Sequence, residues 1–121
     1  REGIVERILA VIKVKPEHRE DYVRLHLNPW PEMLKALADA GFINEAIWYF
    51  EDQSIIYFEV PDGAYDACDA RVRVTEICQR WDALTLPWFA RGAELPPKIF
   101  DLREMLAATE GERHSAGRDE Q

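Results

Sequence analysis

Apolar residues run or alternate over positions 6–15, where Ile8, Leu9, Ala10, Val11, Ile12 and Val14 precede Pro16. This pattern predicts a strand running into a turn, with Pro16 opening a helix. Glu17, Glu20 and Asp21 crowd the first turn of that helix, where negative side chains favour the positive end of its dipole. Its apolar stripe contains Tyr22, His26, Trp30, Met33, Leu34 and Leu37, while Arg19, Arg24, Lys35 and Asp39 suit the outer face. The helix is expected over 16–40, with Asn28-Pro29-Trp30-Pro31 forcing a kink or a short loop and Gly41 ending the second piece.

Two further strand-like runs, 42–50 and 54–60, are joined by Glu51-Asp52-Gln53, a polar stretch suited to a hairpin loop. Beyond Pro61-Asp62-Gly63 the pattern predicts helices over 64–70 and 75–90, and a last strand over 98–102 after Pro96-Pro97. The resulting βαββαβ order is α+β and ferredoxin-like, an antiparallel sheet with its helices on one face. The opposite face would display alternating apolar residues, so a second copy packed against it, a homodimer, is the economical way to cover it. A single domain is expected over 1–106. Residues 107–121 are charged and small, without apolar period, which predicts a disordered tail.

Composition narrows the partners more than the fold. A chain of 121 residues holds one domain, and 47% hydrophobic with 31% charged residues is ordinary for a globular one. The net charge of -8 repels phosphate backbones and anionic head groups, which argues against nucleic acid and membrane surfaces. No apolar run approaches the roughly 20 residues of a membrane span, and Arg1-Glu2-Gly3 does not read as a signal-peptide start, so a cytoplasmic protein is expected. Cys68 and Cys78 lack a zinc-type spacing and read as reduced, buried thiols.

Candidate chemistry gathers on the first helix. Tyr22 and His26 are four residues apart and therefore share one helical face, the apolar one. An imidazole and a phenol so placed are either hydrogen-bonded core residues or members of a pocket. The Trp30-Pro31 kink one turn later either opens space above the sheet or merely breaks the helix. Strand alternation places Glu45 with Ile47 and Tyr49. It is thus either an exposed strand-start residue or a buried carboxylate whose pKa rises toward a range useful for proton transfer. Cys78-Gln79-Arg80-Trp81-Asp82 offers an aromatic wall beside polar groups, the combination a sugar site needs, although Trp81 serves a core equally well.

The run Tyr22-Val23-Arg24-Leu25-His26-Leu27-Asn28-Pro29-Trp30-Pro31-Glu32, with Asn44-Glu45-Ala46-Ile47-Trp48 and Cys78-Gln79-Arg80-Trp81, resembles the L-rhamnose mutarotase family. The resemblance implies a dimeric α+β barrel and an isomerase that interconverts the anomers of a 6-deoxyhexose. It implies His26 as proton donor and Tyr22 as a pyranose contact able to share in the proton transfers. Trp81 would line the sugar pocket, with Trp30, Glu45 and Asp82 among the substrate-binding residues. The partner implied is a monosaccharide, with neither metal nor organic cofactor. Two departures stand out: rhamnose-type members usually carry a tyrosine at the Glu45 position and a tryptophan at the Asp82 position. Carboxylates there accept hydrogen bonds from hydroxyls, and an acid at the Asp82 position resembles L-fucose-type members. The same dimeric architecture hosts cofactor-free monooxygenases and haem-handling proteins, in which His26 would abstract a substrate proton or ligate iron, and non-catalytic small-molecule-binding dimers.

Overall fold

The computed structural model describes residues 4–119, with side chains described as far as Glu110. Four antiparallel strands form one sheet in the order β2-β3-β1-β4. They are β1 (Val5–Val14), β2 (Asn44–Phe50), β3 (Gln53–Pro61) and β4 (Phe89–Glu94). Each crossover contains a broken pair of helices: α1 (Arg19–Leu27) and α2 (Pro31–Ala40) between β1 and β2, α3 (Tyr65–Arg73) and α4 (Glu76–Thr85) between β3 and β4. A final helix, α5, spans Leu102–Asp119. The ferredoxin-like α+β arrangement expected from the residue pattern is therefore present.

Local chemistry explains each break. Pro31 stands in the first turn of α2, where its missing N–H costs nothing and its fixed φ fits the helix. Thr75 separates α3 from α4: its hydroxyl donates to the Val72 carbonyl at 2.6 Å and accepts from the Cys78 amide at 3.3 Å. Gly41 ends α2 at φ 111°. A Cβ there would lie 3.0 Å from the Cys68 Sγ and 3.2 Å from an Arg71 nitrogen that bonds the Ala40 carbonyl. Gly41→Ala is accordingly expected to cost more than about 1 kcal/mol, read as a lower midpoint in denaturant at unchanged m value.

The β2–β3 hairpin turns on two residues, Glu51 and Asp52, both at positive φ (51° and 58°), the handedness that suits the twist of paired strands. Neither is glycine, so the turn is held from outside. Arg19 at the start of α1 grips the Asp52 carboxylate at 2.7 and 3.0 Å, and the Tyr49 hydroxyl donates to it at 3.1 Å. The same contacts fix α1 over the sheet.

The C-terminal third differs from the pattern-based expectation. The helix expected over 75–90 ends at Thr85, a short 3-10 turn covers Leu86–Trp88, and the fourth strand is Phe89–Glu94 rather than 98–102. Pro87 is the cause: it cannot donate to the preceding turn and ends the helix just before the Phe89 pairing with Val14 on β1. The 98–102 segment follows Pro96-Pro97, which cannot feed a ladder, and instead Asp101 pairs with Arg7 at 2.7 Å and caps α5 through the Glu104 amide. The segment from 107, expected to be a disordered tail, lies in α5 as far as Asp119; the strong helix formers Leu102-Arg103-Glu104-Met105-Leu106-Ala107-Ala108 open that helix. Residues 120 and 121 of that tail lie outside the described residues.

The sheet has two unlike faces. On one, Ala10, Val14, Ser54, Ile56 and Val60 are buried under the helices, together with Tyr22, Met33, Val72 and Cys78. On the other, the cross-strand rows Trp48–Ile55–Val11 and Ala46–Tyr57–Leu9 stand open, with Trp48 60% and Phe50 63% exposed. Both cysteines are free and buried, as expected.

Candidate active site

The helix-covered face of the sheet does not fill completely. A cavity of about 620 Å³ remains, walled by α1 and α2, by β2 and Phe58 of β3, and by α3 and α4. Tyr22, His26, Glu45, Trp81 and Asp82 all line it. Side chains spread over 61 residues of sequence, from Tyr22 to Asp82, thus converge on one space, within the size range of small-molecule sites.

Tyr22 and His26 stack, with ring centroids 4.1 Å apart and planes inclined by 29°. Their side chains do not satisfy one another. The Tyr22 hydroxyl points down to the sheet and bonds the Ser54 hydroxyl, and burial pushes the phenol up to about 12. The His26 Nδ1–H donates to the backbone carbonyl of Tyr22 at 2.8 Å, one helical turn back. That bond fixes the tautomer and leaves Nε2 as the acceptor. Among the described residues no sealed side-chain nitrogen or oxygen lacks a partner, so the unpaired Nε2 reaches open space. Burial lowers the His26 pKa below its ordinary value, opposed only in part by the bond to the carbonyl. The imidazole is neutral at physiological pH, with its basic nitrogen available.

Aromatic packing holds this imidazole in place. Trp81 presents its edge to His26 (5.3 Å, 88°), and Trp30 stands edge-on to Trp81 (5.2 Å, 85°), with the Arg80 guanidinium 5.8 Å over the Trp30 ring. Trp30 therefore supports Trp81 from behind and does not line the cavity, contrary to its expected place at the substrate. Trp48 is on the opposite sheet face, and Trp88 stacks on His18 at 5.9 Å.

The polar groups of the remaining wall differ in how fully they are engaged. Glu45 projects from β2 beside Ile47 and Tyr49, half-buried, with its carboxyl open to the cavity and with neither an ion-pair nor a hydrogen-bond partner among the described residues. Burial alone raises its carboxyl to about 7. Asp82 accepts the Cys78 thiol at 3.9 Å, and burial, with the Asp82 charge, pushes that thiol up to about 11. Asp69 and Arg73 on α3 also border the cavity, joined at 2.7 Å. They were not singled out from sequence, although their i, i+4 spacing is the signature of a helix-surface ion pair. Among the described residues no group of three or more His, Cys, Asp or Glu is arranged to hold a metal ion.

With the geometry in place, the relatives are informative. The family profile described as L-rhamnose mutarotase matches residues 7–108. A protein named L-rhamnose mutarotase from Listeria monocytogenes is 34% identical over 105 residues, covering 84% of this chain and 97% of its own length. One of the same name from Bacillus subtilis is 27% identical over 104 residues, covering 84% and 97%. Among solved structures, an L-rhamnose mutarotase from Formosa agariphila aligns with a TM-score of 0.64 at 17% identity, over 79% of this chain and 97% of that one. A putative antibiotic biosynthesis monooxygenase from Bordetella bronchiseptica aligns with a TM-score of 0.61, also at 17% identity, over 79% and 98%, a likeness of fold. The breadth of the profile match and the identity to the Listeria protein place this isomerase chain in the L-rhamnose mutarotase family.

Proposed function

We propose that the protein interconverts the α and β anomers of a 6-deoxyhexose, L-rhamnose first, by acid/base opening and closure of the pyranose ring. The observation that carries this reading is the His26 imidazole, tethered through Nδ1 and open through Nε2 at a cavity large enough to admit a monosaccharide. Anomer exchange requires removal of the proton on the anomeric hydroxyl as the C1–O5 bond breaks with protonation of O5, rotation of the aldehyde, and reclosure. Neutral His26 takes the anomeric proton at Nε2 and returns it as the ring closes, so it is acceptor in one half and donor in the other. Tyr22, whose hydroxyl is engaged by Ser54, positions His26 through its ring and carbonyl.

The cavity suits a deoxy sugar. Met33, Leu34 and Leu37 of α2 supply an apolar wall for a methyl group, and Trp81 supplies a face or edge for C–H bonds. Asp82 is proposed to accept hydrogen bonds from sugar hydroxyls, and Glu45 to contact the sugar from the sheet wall. Measuring exchange between anomeric protons by NMR saturation transfer for L-rhamnose, L-fucose and related sugars tests this. Acceleration greatest for L-rhamnose is expected; greatest for L-fucose would reassign the substrate, and acceleration of none would overturn the reading.

A homodimer through the open sheet face belongs to the same proposal, because that face leaves two apolar rows uncovered. Trp48→Asp, a charge on the most exposed aromatic of those rows, is expected to halve the mass measured by light scattering. An unchanged mass would place the interface elsewhere.

A further inference from the structure

Ring opening needs two proton-handling groups, and His26 is one. Of the other titratable side chains at the cavity, most are already engaged. The Tyr22 hydroxyl bonds Ser54, the Tyr49 hydroxyl donates to Asp52, the Cys78 thiol donates to Asp82, and Asp69 pairs with Arg73. Glu45 alone combines a place in the wall, partial burial and a carboxyl group that has no partner among the described residues and opens to the cavity. Arg73, a cation at this cavity, is held by Asp69 instead.

We propose that Glu45, on the sheet wall of the cavity, is the catalytic acid that works with His26 on the helix wall. The proposal rests on the mutarotase reading and deepens it. The steps balance. The Glu45 carboxyl gives its proton to O5 as the C1–O5 electron pair moves onto O5, while the anomeric O1–H proton passes to His26 Nε2 and C1=O1 forms. After rotation about C1–C2, O5 attacks the other face of the aldehyde, its proton returns to Glu45, and the imidazolium returns its proton to O1. Nothing is consumed. The titratable groups that share the cavity with Glu45 are Tyr22 and His26 from α1, Tyr49 from β2, Asp69 and Arg73 from α3, and Cys78 and Asp82 from α4, and Tyr65 of α3 also feels its charge. The only full cation among them is neutralised within its own helix. Burial raises the Glu45 carboxyl to about 7 and lowers the His26 imidazole, shifts that favour a protonated acid and a neutral base together.

The test uses L-rhamnose and NMR saturation transfer on wild type, Glu45→Gln and Glu45→Asp across pH. Glu45→Gln keeps the shape of the side chain and its hydrogen-bonding capacity but cannot deliver a proton. It is expected to lower kcat by on the order of 100-fold or more with KM changed only a few-fold. The wild-type profile should fall on the acid side as His26 protonates and on the alkaline side as Glu45 ionises. Glu45→Gln should lose the alkaline limb; Glu45→Asp should retain one at reduced rate. A Glu45→Gln protein with wild-type kcat, or one whose loss lies in KM with the alkaline limb intact, overturns the proposal while the mutarotase reading stands. Absence of exchange in the wild type overturns both.

Discussion

Replacing Glu45 with glutamine is expected to stabilise the folded protein at pH 8 by about 3 kcal/mol relative to its effect at pH 4, even as it removes activity. The native carboxyl is held near 7 by burial, against an ordinary value of 4.5. Its folded-state pKa is raised, so the unfolded chain releases this proton first. Wild-type stability is therefore complete below about pH 4.5, declines as pH rises toward 7, and stays low above it. The span of the shift corresponds to about 3 kcal/mol, one unit being about 1.4 kcal/mol. Glutamine carries no ionisation cost, so the difference between variant and wild type should be nil at acid pH, open between about 4.5 and 7, and plateau beyond. Denaturant unfolding at a series of pH values measures this. A difference independent of pH would mean that Glu45 is solvated or paired in the native protein.

The second large effect concerns His26. His26→Ala is expected to lower anomer exchange by on the order of 100- to 10,000-fold, the range associated with a positioned acid/base group. The fold should survive, because the imidazole is only partly buried and its one hydrogen bond goes to a helix carbonyl. His26→Gln separates the roles, since an amide can fill the space beside Tyr22 and Trp81 but cannot cycle a proton. Equal loss in both variants identifies proton transfer as the function lost; recovery in His26→Gln would identify packing.

How much of this was legible from the residues depends on how local each feature is. The shared face of Tyr22 and His26 follows from helical spacing, and the inward side of Glu45 from strand alternation, so both were readable and both line the cavity. What the spacing left open was which atoms would be engaged. The partner of the Tyr22 hydroxyl is Ser54, on a strand that α1 meets only once the chain has folded, and nothing near Tyr22 in sequence announces it. The position of Trp30 is non-local in the same way: a helix-boundary tryptophan close to His26 in sequence packs against Trp81, a residue from the other crossover.

At the last strand two signals compete. Helical periodicity carried on past Pro87, and the apolar residues near 99 looked like a better strand than Phe89-Ala90-Arg91-Gly92-Ala93-Glu94. The pairing with β1 decided it, and that is a long-range interaction which also depends on two register irregularities. Helix α5 shows the converse: a segment without an apolar period still forms a helix where propensity and an aspartate cap favour it.

Saturation transfer between the two anomeric protons of L-rhamnose at pH 7, with wild type and His26→Ala at matched concentration, tests the central claim most directly. The account predicts an exchange rate that rises in proportion to wild-type protein and stays at the uncatalysed background with a folded His26→Ala. Background exchange with the wild type, or wild-type exchange with the variant, would contradict it.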